Sequence, residues 1–409
     1  MKRCITFMVL LLAMSGLGQQ VSFRPIDKTR GKSVVTGSAR FDQYLPFIKG
    51  RKVAVVANQT SLVDGVHLVD TLLASGVQVT AIFSPEHGFR GNAGAGETVS
   101  NSHDTKTGLP IYSIYGKSKK PTPIMLQGSD VVLFDIQDVG ARFYTYLSSL
   151  HYVMEACAEN QKQLIVLDRP NPNGFYTDGP VLEPGFESFV GMHPIPVVHG
   201  CTLGEMAKMI NGEHWLKNGV SCSLIVVPCL NYDHGVNYEL PVAPSPNLQT
   251  MSAVYLYPSL CFFEGTIVSV GRGTDKPFMC IGYPGNTTGT YTFQPKDITG
   301  VAMDPPHEGE VCQGHNLEAF GEFYFLNSKA LNLEWLLGLY ASCSDKAAFF
   351  RSGPNASTDF FDKLAGSGTL RTQIEAGKTA DEIKASWEPG LAKYREMRKK
   401  YLIYPDATP

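Results

Sequence analysis

The chain has 409 residues, with 35 Lys+Arg against 38 Asp+Glu, a formal charge of −3, 43% hydrophobic and 18% charged residues. At about 150 residues per domain this length allows two or three domains, and the apolar content excludes wholesale disorder. Near-neutrality argues against a nucleic-acid binder, which would need a basic excess to hold phosphates, and the lack of a long apolar run after the first residues excludes a multi-spanning membrane protein.

Residues 1–18 read as a secretory leader. Lys2 and Arg3 form a positive start, residues 5–14 are apolar, and Gly16 and Gly18 straddle Leu17 as a small-x-small cleavage site. The apolar run is short for a membrane span, and no cysteine follows it at a lipoprotein position. Export to a periplasm or beyond, without a stable membrane anchor, is the expectation. Eight cysteines remain after Cys4, scattered and without a C-x-x-C pair. Mostly buried free thiols are expected, with Cys222 and Cys229 placed to pair with other cysteines, and the spacing disfavours zinc.

From residue 52 to about residue 229, short β-branched runs alternate with amphipathic stretches. Residues 53–57 read as a buried strand, followed by a helix around Leu68, Leu72 and Leu73 that Gly76 ends. Strands are predicted at 77–83, 130–135, 164–167 and 224–227. Phe143, Leu147, Leu150, Met154 and Cys157 form one helical stripe, and Thr202 with Glu205 makes a capping box for a helix over 203–210. This order predicts an α/β fold with a parallel sheet covered on both faces.

Polar residues follow each strand: Asn58 and Gln59, then Glu86 and His87, then Asp135, Gln137 and Asp138, then Asp168 and Arg169. Ligands of open α/β sheets bind beyond the strands' carboxyl ends, so these groups are expected to converge on one crevice suited to a polyhydroxylated substrate. Each alone also reads as a cap or turn residue. No nucleotide cofactor is expected: Gly91, Gly94 and Gly96 do not have the dinucleotide spacing, and no phosphate-cradling Walker motif is present.

From about Tyr257 the alternation is lost. Strand-like pieces near Ile267 and Tyr291 mix with a helix over 331–342. In the last segment Ile374, Ile383, Trp387, Leu391 and Tyr394 are candidates for burial, Pro389 is expected to break or restart the helix, and Arg395, Arg398, Lys399 and Lys400 to form a solvated face.

Longer strings carry a resemblance. Phe83-Ser-Pro-Glu-His-Gly-Phe-Arg-Gly91, with Gly96-Glu97 after it, is similar to a signature of the exo-acting β-N-acetylmuramidases of the NamZ type. Phe134-Asp-Ile-Gln-Asp-Val-Gly-Ala-Arg-Phe-Tyr-Thr-Tyr146, Val166-Leu-Asp-Arg-Pro-Asn-Pro-Asn173, Pro244-Ser-Pro-Asn247, Glu264-Gly-Thr266 and Gly271-Arg-Gly-Thr274 continue it over nearly the whole mature chain. Cys201 and Val270 depart from the pattern. The resemblance implies a Rossmann-like catalytic domain at 19–256 and a smaller mixed α+β domain at 257–409 that completes the cleft. It implies release of N-acetylmuramic acid from the non-reducing end of peptidoglycan fragments in cell-wall recycling, with Glu86 as catalytic acid.

For this chemistry Asp135 and Asp138 are the candidates for a second carboxylate, as nucleophile, base or orienter of the substrate's acetamido group; Asp138 also reads as a helix cap. Arg142, Arg169, Arg272 and Arg90 are candidates for the lactyl carboxylate. Tyr144 offers a face for stacking, and Asn58, Gln59, Asp168 and Asn173 offer hydrogen bonds to hydroxyl groups. His87 is expected to bond neighbouring carboxylates or the sugar rather than a metal. Two other classes stay open at this point: a non-catalytic muropeptide-binding protein, and a metal-dependent cell-wall deacetylase or amidase.

Overall fold

The structure, a computed structural model, describes residues 33–90, 101–351 and 358–406. The leader expected at 1–18, Gly91, Gly94, Gly96 and Glu97 lie outside them. The described residues all belong to one compact unit.

Its centre is a seven-stranded sheet built from β1 (Lys52–Ala57), β2 (Gln78–Ser84), β3 (Ser102–His103), β4 (Pro110–Ser113), β5 (Val131–Asp135), β6 (Gln163–Leu167) and β7 (Ser223–Val227). The order is β3-β4-β2-β1-β5-β6-β7. Only the short edge strand β3 runs antiparallel. The chain therefore winds outward from β1 in both directions, the doubly wound arrangement whose crevice opens beyond the carboxyl ends of the central strands.

Strand alternation divides the core in two. Ala54, Val56, Val132, Phe134, Leu164 and Val166 face a large cluster that includes the helices α3 (Tyr146–Glu159) and α4 (Leu203–Gly212). Val53, Val55, Val131, Leu133, Ile165 and Leu167 face a second cluster with α1 (Phe41–Ile48) and α2 (Leu68–Ala74). Burial of each such side chain stabilises the fold by roughly 1.5–3 kcal/mol, which is why these strands read as continuous apolar runs. The register between β1 and β2 shifts at Val53/Ala54.

The predicted capping box is present: Thr202 accepts from the Glu205 backbone N–H at 3.2 Å and Glu205 answers at 2.9 Å. Asp168 ends up here as well. Its carboxylate accepts from Thr202 Oγ1 at 2.7 Å, Gly204 N at 2.8 Å and Tyr404 O–H at 2.6 Å. A side chain on Gly204 would collide with that carboxylate, so glycine permits the approach. Burial raises the Asp168 pKa to about 6.

The last third of the chain adds α5 (Met251–Leu260), α6 (Glu334–Ser342), α7 (Asp359–Ala365) and α8 (Ala380–Lys399) around a sheet of β8 (Cys280–Tyr283), β9 (Tyr291–Phe293) and β10 (Cys312–Asn316). Around Ile267 the structure has no strand; Ser269 makes only an isolated bridge to Gly282. Two sequence expectations are corrected in α8. The helix runs unbroken through Pro389, because the proline and the Ala385 carbonyl it leaves unbonded are both exposed while Trp387, Leu391 and Tyr394 stay buried. Arg398 is buried rather than solvated: it shares the face of Leu391 and Tyr394, and donates to Gly200 O at 2.6 Å and to Asp406. All eight cysteines after Cys4 are buried free thiols.

Candidate active site

A cavity of about 580 Å³ opens beyond β2, with walls from both parts of the chain. Glu86, His87, Tyr115, Tyr144 and Thr145 from the first part of the chain line it together with Tyr257, Glu264, Arg272, Phe278 and Asp304 from the second. This size and mixture of aromatic faces with few polar groups suit a small polar ligand.

Glu86 is the second residue after β2. The turn that carries it closes with Gly88 N–H on Pro85 O at 3.1 Å, and its next residues, His87 and Gly88, both take left-handed backbone, with φ of 71° and 80°. For His87 that conformation is costly, and such strain concentrates where the fold holds a side chain for use. Thr145 Oγ1 donates to Glu86 Oε2 at 2.6 Å. Thr145 is the N-cap of α3, yet its hydroxyl makes no cap bond and serves the carboxylate instead. Tyr115 lies close enough to Glu86 to feel its charge: burial, then the Glu86 carboxylate, push the Tyr115 pKa up, while Arg272 pulls it down. Glu86, Tyr115 and Arg272 therefore share one electrostatic neighbourhood.

Of the residues expected at the crevice, Glu86, His87, Tyr144 and Arg272 line the cavity; the rest of the strand-end group is engaged in the fold. Asn58 binds Tyr146 O–H at 2.9 Å and the Thr60 hydroxyl at 2.6 Å. Gln59 donates to Ala243 O and Pro244 O, and Tyr144 donates to Pro244 O at 2.9 Å, so they tie down the loop whose Ser245 and Leu248 reach the cavity. Gln137 donates to Asp138 O and Pro170 O, and Asn173 to Val139 O. Asp135 forms a two-pronged ion pair with Arg169, at 2.6 and 2.9 Å. Arg142 is buried and donates to the carbonyls of Pro180, Ile195 and Leu364; burial lowers its pKa to about 9. Arg90 pairs with Asp104 at 2.9 Å. The common cause is that a buried polar group must find a partner, and these found theirs within the protein.

Asp138 does not cap a helix; α3 starts at Tyr146, and Asp138 instead accepts from Gly140 N–H at 2.7 Å. Its other oxygen has no hydrogen-bond partner, and burial raises its pKa to about 7 from 3.8. The unfolded chain releases this proton first, so the residue's contribution to stability falls as pH rises from about 4 to about 7 and is level above that. Asp138→Asn should therefore gain in melting temperature relative to the wild type across that window; a difference that does not change with pH would refute this.

Among the described residues no group of three His, Cys, Asp or Glu side chains is arranged to hold a metal ion. The other carboxylates that line the cavity with Glu86 are Glu264 and Asp304, neither of which the local sequence pattern marks as catalytic. The signal for Glu264 was its Glu-Gly-Thr string; Tyr115 had none, since it follows the short strand β4, which the hydrophobic pattern did not reveal.

Comparison with known proteins bears on this site. Residues 53–252 match the family model for the N-terminal part of exo-β-N-acetylmuramidase NamZ, and residues 255–404 match its C-terminal part. The peptidoglycan β-N-acetylmuramidase NamZ of Bacillus subtilis is 38% identical, covering 99% of this chain and 100% of that protein. A crystal structure of a DUF1343 family protein from Bacteroides fragilis covers 92% of this chain and 100% of its own, at 44% identity and a TM-score of 0.82. A second from the same organism gives 28% identity and a TM-score of 0.74, covering 91% and 99%.

Proposed function

The chain belongs to the exo-β-N-acetylmuramidase NamZ family and is a glycoside hydrolase of peptidoglycan, and from this premise we propose that Glu86 is its general acid, acting on a terminal N-acetylmuramic acid held in the cavity beyond β2. The observation that carries the reading is Glu86 itself, set on the cavity wall by a strained turn, bonded by Thr145 and close to Tyr115. Cleavage of a glycosidic bond needs a proton delivered to the departing oxygen as the sugar acquires oxocarbenium character. A carboxyl held on the cavity wall by the Thr145 hydroxyl meets the geometric half of that demand. The aromatic walls at Tyr144, Tyr257 and Phe278 give the sugar ring apolar faces to lie against.

Work on cell-wall fragments fits a place outside the cytoplasm. Export is part of this proposal and rests on the leader-like pattern of residues 1–18. No helix among the described residues is long and apolar enough to cross a membrane.

The test is direction of attack. Purified protein is incubated with the β-linked disaccharide bearing N-acetylmuramic acid at its non-reducing end, and separately with the one bearing N-acetylglucosamine there. Release of N-acetylmuramic acid from the first alone is expected. Cleavage of neither, or of both equally, would remove the exo-muramidase reading.

A further inference from the structure

We propose that Arg272 reads the lactyl carboxylate of N-acetylmuramic acid, and that Glu264 positions it. This rests on the reading that the muramyl sugar occupies the cavity. N-acetylmuramic acid differs from N-acetylglucosamine by a lactyl ether that ends in a carboxylate, so choosing between them calls for a cation that the sugar can reach. Arg142, Arg169 and Arg90 are committed to partners inside the fold. Two strong cations line the cavity, Lys119 and Arg272.

Arg272 has the geometry to receive a carboxylate. Its Nε donates to Glu264 Oε1 at 2.6 Å, and its guanidinium carbon lies 5.0 Å from the centre of the Phe278 ring. These contacts fix the guanidinium plane. Among the described residues no protein acceptor takes its two terminal nitrogens, and the side chain keeps 19% of its surface open. A planar fork with its terminal N–H groups unspent can hold a carboxylate on two bonds. The loop itself is constrained: Gly271 and Gly273 have φ of 79° and 78°, and a side chain on either would strike backbone atoms of Lys276 or Lys296. Lys119 has its ammonium 4.4 Å from the centre of the Phe189 ring, which sets no direction for a second bond.

The test compares 4-nitrophenyl β-N-acetylmuramide with its lactyl methyl ester, which keeps the shape and loses the charge. The wild type should prefer the acid by roughly 10- to 100-fold in kcat/KM, as expected of a charged hydrogen-bonded contact. Arg272→Met combined with Glu264→Gln, which leaves no unpaired carboxylate behind, should lose that preference while still turning over the ester, so that ester turnover reports an intact fold. Lys119→Met should retain the preference. Glu264→Gln, whose amide oxygen still accepts from Nε, should keep more of it than Glu264→Ala, with the difference in KM rather than kcat. Turnover by the wild type without acid preference, or a preference lost in Lys119→Met and kept in the Arg272 variant, overturns the assignment alone. No turnover of either compound by the wild type overturns the muramidase reading and this assignment with it.

Discussion

Glu86→Gln is expected to lower kcat for a muramyl disaccharide by roughly 10²–10⁴-fold, the span that positioned proton transfer contributes, while leaving the melting temperature close to that of the wild type. The amide keeps the size of the carboxyl and can still accept from Thr145 Oγ1, which now lies 2.6 Å from Oε2. What it loses is the proton for the leaving oxygen. The size of the loss should follow the leaving group. A sugar hydroxyl needs protonation to depart, whereas 4-nitrophenolate scarcely does, so the variant should lose far more on the disaccharide than on the aryl muramide. Equal losses on both would point to a role other than general acid. Glu86 can reach a bound sugar, since it is 9% exposed and stands on the wall of the cavity rather than sealed in the core.

Asp135→Asn should separate structure from chemistry in the opposite sense. Asp135 is fully buried, and its two oxygens take Arg169 Nε and Nη2 at 2.6 and 2.9 Å. Arg169 in turn donates to Ser38 Oγ and Leu62 O, so the pair joins β5, the β6 end and the segments on either side of β1. Removing one charge from such a pair leaves the other uncompensated in a low-dielectric interior, a loss of about 3–5 kcal/mol. A fall in the urea midpoint of that order is expected. Below the unfolding transition, kcat should change less than tenfold. A kcat reduced as far as in Glu86→Gln, with the urea midpoint unchanged, would instead return Asp135 to the reaction.

The two cases show what was legible beforehand. Glu86 and Asp135 look alike in sequence, each a carboxylate at a strand's carboxyl end. The hydrophobic pattern places both at the crevice rim because the end of each continuous apolar run marks where the buried strand ends. It carries no information about which side chain finds a cation behind it. Arg169 turns inward to Asp135, and that contact decides the difference. The same holds for Asp168, taken up by the N-terminus of α4 and by Tyr404 from the far end of the chain.

By itself, then, the sequence determined the strands β1, β2, β5, β6 and β7, the two-faced burial of their sheet, the capping box at Thr202, and the position of Glu86 at a strand end. Each depends on spacings of two to four residues, which are local and therefore readable. The tertiary structure alone decided that Glu264 and Arg272 line one cavity with Glu86, that Tyr115 comes close to it, that Asp135 pairs with Arg169, and that α8 carries Pro389 without breaking. These depend on contacts between segments far apart in the chain, where burial and the need to satisfy each buried charge choose among partners that no local period distinguishes.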